Sequence, residues 1–324
     1  MEDALKAVIM KVTEATQVEL KETIQSLWSG YGSIDRYQLT GASRKSVIIK
    51  HVRLPEQNQH PRGWNTNRSH QRKLRSYQIE SHWYETWSQQ CDEVCRVADC
   101  LAVTQSDTEF LMIIEDLADS GYPVVVDSAS LMQINSCLKW LANFHAAFME
   151  VKPSGLWPSG TYWHLQTRPD ELATMPDNGL KKVASDIDQI LVDAPYQTLV
   201  HGDAKLANFC FSVEGSKVAA VDFQYVGGGC GMKDVAYFIG SCLDEHDCER
   251  LEAELLNQYF TALKSALAIR QPAIDSEAVE TAWRPLYAVA WTDFYRFLQG
   301  WSPGHWKIHG YSERLANQVL RSIA

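Results

Sequence analysis

The chain has 324 residues, of which 45% are hydrophobic and 22% are charged, as is ordinary for soluble globular proteins. These proportions argue against a disordered or fibrous protein, and the length favours two lobes over one compact domain. The net charge of -10 argues against general nucleic-acid binding, which depends on Lys and Arg side chains that neutralise phosphates. We therefore expect no nucleic-acid partner.

The N-terminus lacks the features of a secretory signal, because Lys6 and Lys11 interrupt its short apolar stretch. No later segment approaches the roughly 18 uninterrupted apolar residues of a membrane helix. Eight cysteines are spread along the chain without a CxxC pair, a distribution that predicts reduced thiols rather than a zinc site. These features predict a cytoplasmic protein with no membrane partner.

The N-terminal part of the chain combines a helical pattern with strand patterns. A leading helix is predicted by apolar residues at helical spacing, namely Leu5, Val8, Ile9, Val12 and Ala15. From residue 26 to residue 52, glycines separate short runs rich in β-branched residues, which predicts antiparallel strands. A buried strand is predicted at residues 110–114, and Glu115-Asp116-Leu117 after it is expected to link two lobes. This places the N-terminal lobe at residues 1–115 and the C-terminal lobe at residues 116–324.

A basic segment lies inside the N-terminal lobe. Between residues 53 and 75 the only acidic side chain is Glu56, against Arg53, Arg62, Arg68, Arg72, Lys73 and Arg75. We interpret the segment as a solvated, mobile loop, because Trp64 is its only aromatic residue and base-stacking surfaces usually have several. A helix is predicted after it, around residues 76–89.

The C-terminal lobe is predicted to be mainly helical. One amphipathic helix is indicated by residues at three- and four-residue intervals, namely Leu131, Ile134, Leu138, Leu141, His145 and Phe148. His145 lies on that buried stripe, and we interpret it as a hydrogen-bonded core residue rather than a catalytic base. After Asp222 two further helical stripes follow: Leu251, Leu255, Tyr259 and Leu263, then Trp283, Leu286, Tyr287, Ala290, Trp291, Phe294 and Leu298.

The most informative segments are residues 199–209 and 218–224, where two short apolar strands each deliver a carboxylate. Phosphoryl transfer needs an oriented hydroxyl and cations that offset the charge of the phosphates. Asp203 fits the base that orients the hydroxyl. Asn208 and Asp222 supply the hard oxygen ligands that magnesium prefers. The pattern therefore predicts a magnesium site across a hairpin.

The spacing resembles the protein-kinase catalytic loop H-R-D-L-K-P-E-N, because Lys205 and Asn208 stand two and five residues after Asp203. Gly202 replaces the arginine, and Asp222-Phe223-Gln224 replaces Asp-Phe-Gly, which points to small-molecule relatives of the protein kinases. The pattern His-Gly-Asp-x4-Asn resembles the loop of aminoglycoside phosphotransferases and choline kinases. A protein kinase is disfavoured, since no Ala-Pro-Glu segment follows Asp222.

Four motifs together look most like the ecdysteroid kinase-like family: Glu115-Asp116-Leu117, His201-Gly202-Asp203, Asp222-Phe223-Gln224 and Asp234-Val235-Ala236-Tyr237. The resemblance runs from about Gly30 to about Tyr237. It implies an α+β, bilobal, protein-kinase-like fold, with an antiparallel sheet lobe that binds nucleotide and a mainly helical lobe that holds the catalytic residues and the acceptor. It also implies ATP as donor, Mg²⁺, and a small hydroxyl-bearing acceptor, with Asp203 as base, Asn208 and Asp222 on the metal, and Lys50 on the phosphates.

Other candidates complete this assignment, and alternatives remain open for several of them. Lys205 is either a partner of the γ-phosphate or an exposed surface lysine. Lys50 closes a β-branched strand, and Glu80 on the next helix is the candidate that holds it, with Glu85 as a neighbouring alternative. The resembled families imply that Asp234 braces the catalytic loop through backbone N–H groups, and a simple helix N-cap is its alternative.

The nucleotide is expected to contact two further places in the N-terminal lobe. Trp28-Ser29-Gly30-Tyr31-Gly32-Ser33 falls where a nucleotide-covering turn belongs, which makes Gly30 and Gly32 binding candidates. It lacks the full G-x-G-x-x-G, so a plain hairpin turn is the alternative. Glu115 and Leu117 of the linker are the remaining nucleotide-binding candidates.

The acceptor is not identified by the sequence, but C-terminal aromatic residues are candidates for its pocket. Trp283, Trp291 and Tyr295 lie near an apolar helical stripe and are expected in the core, whereas Trp301 and Trp306 flank a turn-rich segment and are pocket candidates. Aromatic walls suit either a bulky apolar alcohol or a quaternary amine. A nucleotide-binding scaffold without turnover is the alternative function. The oligomeric state is not predicted.

Overall fold

The computed structural model describes residues 2–27, 30–53, 67–106 and 109–323. The chain divides into two compact units. The N-terminal unit consists of Met1–Asp92, Arg96–Val124 and Cys210–Val221, and the C-terminal unit of Glu93–Cys95, Val125–Phe209 and Asp222–Ala324. The N-terminal unit thus continues past residue 115, where we predicted the boundary, and includes a later segment of the chain.

The helices and strands follow one another as α1 (Glu2–Thr13), β1 (Gln17–Ser26), β2 (Gly32–Thr40), β3 (Ser46–Arg53), α2 (Asn67–His82), β4 (Cys100–Gln105), β5 (Glu109–Glu115), α3 (Leu131–Ala147), α4 (Pro169–Thr174), α5 (Gly179–Lys182), α6 (Ala184–Val192), β6 (Thr198–Val200), β7 (Phe209–Phe211), β8 (Val218–Ala220), β9 (Gly227–Gly229), α7 (Met232–Cys242), α8 (Glu245–Arg270), α9 (Ser276–Trp283), α10 (Leu286–Trp301) and α11 (Gly310–Ile323). Among the described residues, none of these helices is long and apolar enough to cross a membrane. All eight cysteines are free thiols.

The N-terminal unit is built on an antiparallel five-stranded sheet with strand order β1-β2-β3-β5-β4. Successive side chains of a strand point to opposite faces. Val47 and Ile49 of β3 pack with Ile9 of α1 on one face. Val52 packs with Tyr77 of α2 on the other face. Lys50, two residues before Val52, therefore lies on the α2 face.

Several details of this unit differ from the sequence-based expectations. Strand β1 precedes the region in which we predicted strands. The prediction missed it because its side chains are almost all exposed, so its sequence shows no apolar alternation. Helix α2 begins at Asn67, so the basic residues 68–75 are helical rather than part of a loop. The rest of the predicted loop, with Trp64, falls among residues 54–66, outside the described residues.

The C-terminal unit is mainly helical, with α3 packed on α8 and α10 packed on α6, α7 and α11. Helix α3 begins at a capping box between Ser130 and Gln133, and its predicted stripe is buried from Ile134 onward. The last predicted stripe is divided between two helices, because Pro285 stands at the N-cap of α10. The N-terminal sheet and the helical C-terminal unit confirm the predicted fold class.

Candidate active site

The short strand β6, paired with β9, leads directly into His201-Gly202-Asp203. Gly202 has a φ of 80°, a backbone conformation that residues other than glycine rarely adopt. A Cβ atom there would lie 2.7 Å from the carbonyl carbon of Tyr225 and 2.8 Å from the nitrogen of Thr161. The close backbone approach explains why glycine stands where the protein-kinase loop has arginine.

Asp234 braces this loop from the first turn of α7. Its Oδ2 accepts from the His201 N–H at 2.6 Å, and its Oδ1 accepts from the Gly202 N–H at 3.0 Å. The carboxylate is fully buried. The N-cap of α7 is Gly231, so the brace is confirmed and the N-cap alternative is wrong.

His145 supports Asp234 from α3. Its Nε2 lies 3.2 Å from Asp234 Oδ2, and its Nδ1 lies 2.8 Å from the Tyr259 hydroxyl. The imidazole is completely buried. The interpretation of His145 as a hydrogen-bonded core residue is therefore confirmed, and its position explains how the buried carboxylate is held in place.

Asp203 is buried at 6% exposure and is surrounded by donors. Its Oδ1 accepts from the Tyr237 hydroxyl at 3.1 Å. Its Oδ2 lies 3.1 Å from Lys205 Nζ and 3.2 Å from Asn208 Nδ2. Burial raises the pKa of Asp203, and the negative charge of Asp222 raises it further, while Lys205 opposes the rise. The carboxylate is thus a better proton acceptor than an ordinary aspartate.

Lys205 lies beside both carboxylates rather than on an isolated stretch of surface. Its side chain is 40% exposed. Burial lowers its pKa, but attraction to Asp203 and Asp222 outweighs that effect, and the net shift is upward. The ammonium group therefore stays charged next to Asp203.

The polar atoms near Asp203 fit a magnesium ion. The Asn208 amide nitrogen donates to Asp203 O at 2.8 Å and to Asp203 Oδ2, which fixes the orientation of the amide. No described residue donates to Asn208 Oδ1, so that oxygen is left for another ligand. Asp222 has a φ of 67°, and its Oδ1 accepts from Gln224 Nε2 at 2.7 Å.

Asn208 and Asp222 would supply magnesium with two protein ligands. No group of three or more His, Cys, Asp or Glu among the described residues forms a metal cage. Magnesium commonly binds through one or two carboxylates and completes its shell with phosphates and water. In the chain, Asn208 immediately precedes β7 and Asp222 follows β8 of the β7–β8 hairpin, and their binding of a metal remains a prediction.

Lys50 and Glu80 form a buried ion pair within the N-terminal unit. Lys50 Nζ lies 2.8 Å from Glu80 Oε1 and 2.7 Å from Oε2, and both side chains are at most 7% exposed. Glu85, the alternative partner, is exposed in a π-helical turn after α2. The pair forms as predicted, and its role toward phosphates remains a prediction.

The two nucleotide-binding candidates in the linker differ in their hydrogen bonds. The Glu115 carboxylate accepts from the Asp99 N–H at 2.9 Å and also binds Ser120 and Arg96. Burial raises the pKa of Glu115, but these hydrogen bonds outweigh it and the net shift is downward. The Leu117 N–H, in contrast, makes no hydrogen bond to any of the described residues.

The two glycine candidates lie at the hairpin between β1 and β2. Gly32 has a φ of 136°, and a Cβ atom there would lie 2.9 Å from the His51 carbonyl carbon. Gly30 has a φ of 74° and open space around it. Trp28 and Ser29 of the predicted nucleotide-covering turn are outside the described residues.

An aromatic cluster adjoins Asp203. It contains Tyr162, Trp163, Tyr237, Phe294 and Phe297. The Tyr237 hydroxyl lies 3.3 Å from that of Tyr162 as well as 3.1 Å from Asp203. Burial and the charge of Asp203 raise the pKa of Tyr237, so the hydroxyl stays protonated and donates.

The other aromatic candidates fall into a buried group and an exposed group, as we predicted. Trp283, Trp291 and Tyr295 are at most 5% exposed and belong to the core. Trp301 and Trp306 are 42% and 58% exposed. Trp301 stacks on Phe297 of the aromatic cluster, with ring centroids 5.6 Å apart.

A family model for ecdysteroid kinase-like proteins matches residues 36–155 and 162–271, which is more than half of the chain. The chain belongs to the ecdysteroid kinase-like family. No curated protein sequence matches it significantly.

Solved structures share the fold of this ecdysteroid kinase-like chain. The microcompartment-associated aminopropanol kinase is 11% identical over 99% of this chain and 94% of its own, with a TM-score of 0.52. Choline kinase LicA from Streptococcus pneumoniae is 13% identical over 100% of this chain and 98% of its own, with a TM-score of 0.52. Choline kinase from Cryptosporidium parvum Iowa II is 10% identical over 99% and 94%, again with a TM-score of 0.52. At such identities the likeness shows the kinase-like fold alone.

The sequence-based prediction missed Tyr237 as a neighbour of the candidate base of this family member. A signal was present, because Asp234 and Tyr237 are three residues apart and lie on one face of α7. One residue braces the loop and the other contacts Asp203. Lys307, which lies against the same ring, was missed too, since nothing in its local sequence marks it.

Proposed function

We propose that this protein is a kinase that transfers the γ-phosphate of ATP to a hydroxyl group of a small organic acceptor. The observation that carries the proposal is the set of contacts around Asp203. Asp234 fixes the backbone of the two residues before Asp203. Tyr237 and Asn208 orient the Asp203 carboxylate, and the charge of Asp222 raises its pKa. A buried, oriented carboxylate next to hard oxygen ligands suits phosphoryl transfer to an alcohol.

In the proposed reaction Asp203 orients the acceptor hydroxyl and takes its proton as the new O–P bond forms. The bond between the γ-phosphorus and the β,γ-bridging oxygen breaks, and ADP leaves. Lys205 carries a positive charge 3.1 Å from Asp203 and is assigned to the transferred phosphoryl group. Asn208 Oδ1 and the Asp222 carboxylate would hold magnesium, which offsets phosphate charge when it is bound.

Within the N-terminal unit we assign Lys50 to the α- and β-phosphates. Its ion pair with Glu80 keeps the ammonium group in one position, so little side-chain entropy remains to be lost on binding. The Leu117 N–H is assigned to the base of the nucleotide, because it makes no hydrogen bond to any described residue. Glu115 is assigned a supporting role, since its carboxylate is already fully engaged.

The test is a screen of small alcohols, sterols and amino alcohols with the purified protein, ATP and Mg²⁺. Mass spectrometry should detect an acceptor that gains about 80 Da, the mass of one phosphoryl group. Omission of Mg²⁺ and the variant Asp203→Asn serve as controls, and both should abolish the gain. Tight ATP binding without turnover of any acceptor would instead support the scaffold without catalysis.

A further inference from the structure

Lys307 is a buried lysine whose ammonium group contacts aromatic rings but no carboxylate of the described residues. The residue is 9% exposed and lies in the turn segment between α10 and α11. Nζ lies 4.8 Å from the ring centroid of Tyr237 and 5.4 Å from those of Phe294 and Trp306. No described residue forms a hydrogen bond or ion pair with Nζ. A buried charge without such a partner is costly.

The backbone around Lys307 is well anchored, so the side chain is placed by the fold. Its N–H donates to His305 Nδ1 at 3.2 Å, and its carbonyl accepts from Ser312 Oγ at 2.9 Å. The same hydroxyl accepts from Trp291 Nε1 at 3.0 Å. Nothing in this arrangement neutralises the ammonium group.

Tyr237 connects Lys307 to the proposed catalytic base. The Tyr237 hydroxyl donates to Asp203 Oδ1, and the Lys307 ammonium group lies over the Tyr237 ring. The charge of Asp203 raises the pKa of Lys307 and the charge of Lys205 lowers it. An alcohol bound at Asp203 therefore lies in the field of Lys307.

The aromatic cluster already carries two cations. Besides Lys307, the Arg168 guanidinium lies 5.9 Å from the Tyr162 ring centroid and 5.4 Å from that of Phe297. Arg168 is paired with Glu171, at 3.0 Å, whereas Lys307 forms no ion pair within the described part of the chain. A quaternary amine would need the same ring faces and would meet like charge there.

We propose that Lys307 selects the acceptor, by donating a hydrogen bond from Nζ to a second oxygen of the alcohol and by repelling alcohols with a quaternary ammonium group. The proposal rests on the proposed kinase function. The second oxygen belongs to a carbonyl, a hydroxyl or a carboxylate. A cavity of about 10 Å³ beside Lys307, lined by Trp291 and Tyr295, has room for about one water molecule and is too small for the acceptor.

The experiment uses alcohols that share a hydroxyethyl arm and differ in one terminal group: trimethylammonium, tert-butyl, acetyl or carboxylate. Initial rates with Mg²⁺ and ATP give kcat/KM for the parent protein and for Lys307→Met, Lys307→Arg and Lys152→Met. Met keeps the length of the side chain and removes the charge, Arg keeps the charge, and Lys152 is an exposed lysine of the same unit.

The parent protein should favour the acetyl or carboxylate alcohol over choline by about tenfold or more, and Lys307→Met should narrow that ratio chiefly through KM. Lys307→Arg should keep the rejection of choline, and Lys152→Met should change nothing. The acetyl and carboxylate members show whether the second oxygen is neutral or anionic. A parent protein that uses choline as well as the acetyl and carboxylate alcohols would overturn the proposal. So would the same order of kcat/KM values in Lys307→Met and the parent, which is expected if Lys307 only binds a buried water molecule.

A second readout does not need turnover. Removing an uncompensated buried charge should raise the melting temperature of Lys307→Met above that of the parent, as binding residues often lower stability. A lower melting temperature would show that Lys307 stabilises the fold, which also overturns the proposal. Absence of turnover with every alcohol of this series and of the wider screen, combined with a raised melting temperature, would refute the kinase function and the selection of acceptors together. The unpaired charge of Lys307 would remain established.

Discussion

The hydroxyl of Tyr237 donates a hydrogen bond to Oδ1 of Asp203 across 3.1 Å. The two residues are brought together by the fold, because Tyr237 lies on α7 and Asp203 on the loop that Asp234 of the same helix braces. One helix therefore fixes the backbone just before the candidate base and also contacts its carboxylate. Substitutions in and around this site should therefore have distinct effects.

Tyr237→Phe should lower kcat roughly tenfold, because the Asp203 carboxylate loses one of the donors that orient it. The affinity for ATP should stay the same, and the acceptor KM should change little. Steady-state kinetics with the acceptor from the screen measures both constants. Tyr295→Phe, a buried tyrosine on α10, is the control, and equal activity of the two variants would contradict a positioning role for Tyr237.

Asp203→Asn should leave nucleotide binding nearly intact and lower turnover by a factor of about 100 or more, the usual scale for a lost general base. The amide keeps the size of the side chain and its contact with Tyr237, so the fold should be unaffected. Calorimetry with Mg²⁺ and ATP checks binding, and a phosphate-transfer assay checks turnover. Activity within a few-fold of the parent would remove Asp203 from the role of base.

Asp222→Asn should weaken the binding of magnesium-bound ATP by roughly tenfold or more, because a hard cation loses a carboxylate ligand. Asparagine is the informative replacement, since Asp222 has a φ of 67° and Asn tolerates that region of backbone space. Asp193→Asn, at an exposed helix end, is the control. If calorimetry gave the same affinity for Asp222→Asn and the parent, Asp222 would not be a metal ligand.

Most of the candidate catalytic segment could be predicted from local patterns in the sequence. The spacing of Asp203, Lys205 and Asn208 is short, and the strand that precedes them is apolar, so their proximity follows from a few residues of chain. The stripe of α3 was equally clear, because apolar periodicity reports a buried helix face directly. The brace by Asp234 required the family resemblance, since thirty-odd residues separate it from His201.

Other features depend on tertiary contacts that no local pattern shows. Strand β1 has one buried residue, Val18, and is stabilised by pairing with β2 rather than by an apolar face. The surroundings of Lys307 come from α7, α10 and its own turn, so the sequence gives no sign that this lysine is buried. Tertiary packing decides both cases.

Gly202→Ala should destabilise the protein by roughly 2 kcal/mol or more and should displace the catalytic loop, because the backbone is left-handed and the new Cβ atom meets Tyr225 and Thr161. Gly179→Ala is the matched control, since a Cβ atom there meets only Leu320, at an ordinary 3.6 Å. Urea denaturation gives the free energy of unfolding of each variant. Equal stability of the two variants would show that the loop can relax at no cost.

Lys307→Met should stabilise the protein most below about pH 8, and the gain should fade in alkali. Burial lowers the pKa of Lys307 to about 8, the carboxylate of Asp203 opposes that effect only in part, and the unfolded value is about 10.4. The folded state therefore holds the proton less tightly than the unfolded state. The cost to the parent is fully present below about pH 8 and is lost as the pH rises toward the unfolded value.

The expected gain is on the order of 3 kcal/mol near pH 7 and much smaller near pH 10. The other titratable groups facing Lys307 are Asp203, Lys205, Tyr237, Cys242, Cys248 and His305. Burial and the charge of Lys307 lower the pKa of His305, so its imidazole is neutral across this window. Burial raises the pKa of both thiols to about 12 and also raises that of Tyr237, so these groups keep their protons across this window. Urea denaturation of Lys307→Met, Lys152→Met and the parent at several pH values gives the difference directly. A gain that does not change with pH would mean that the Lys307 ammonium group is paired or hydrated in the folded protein, and the selection of acceptors would then need another cause.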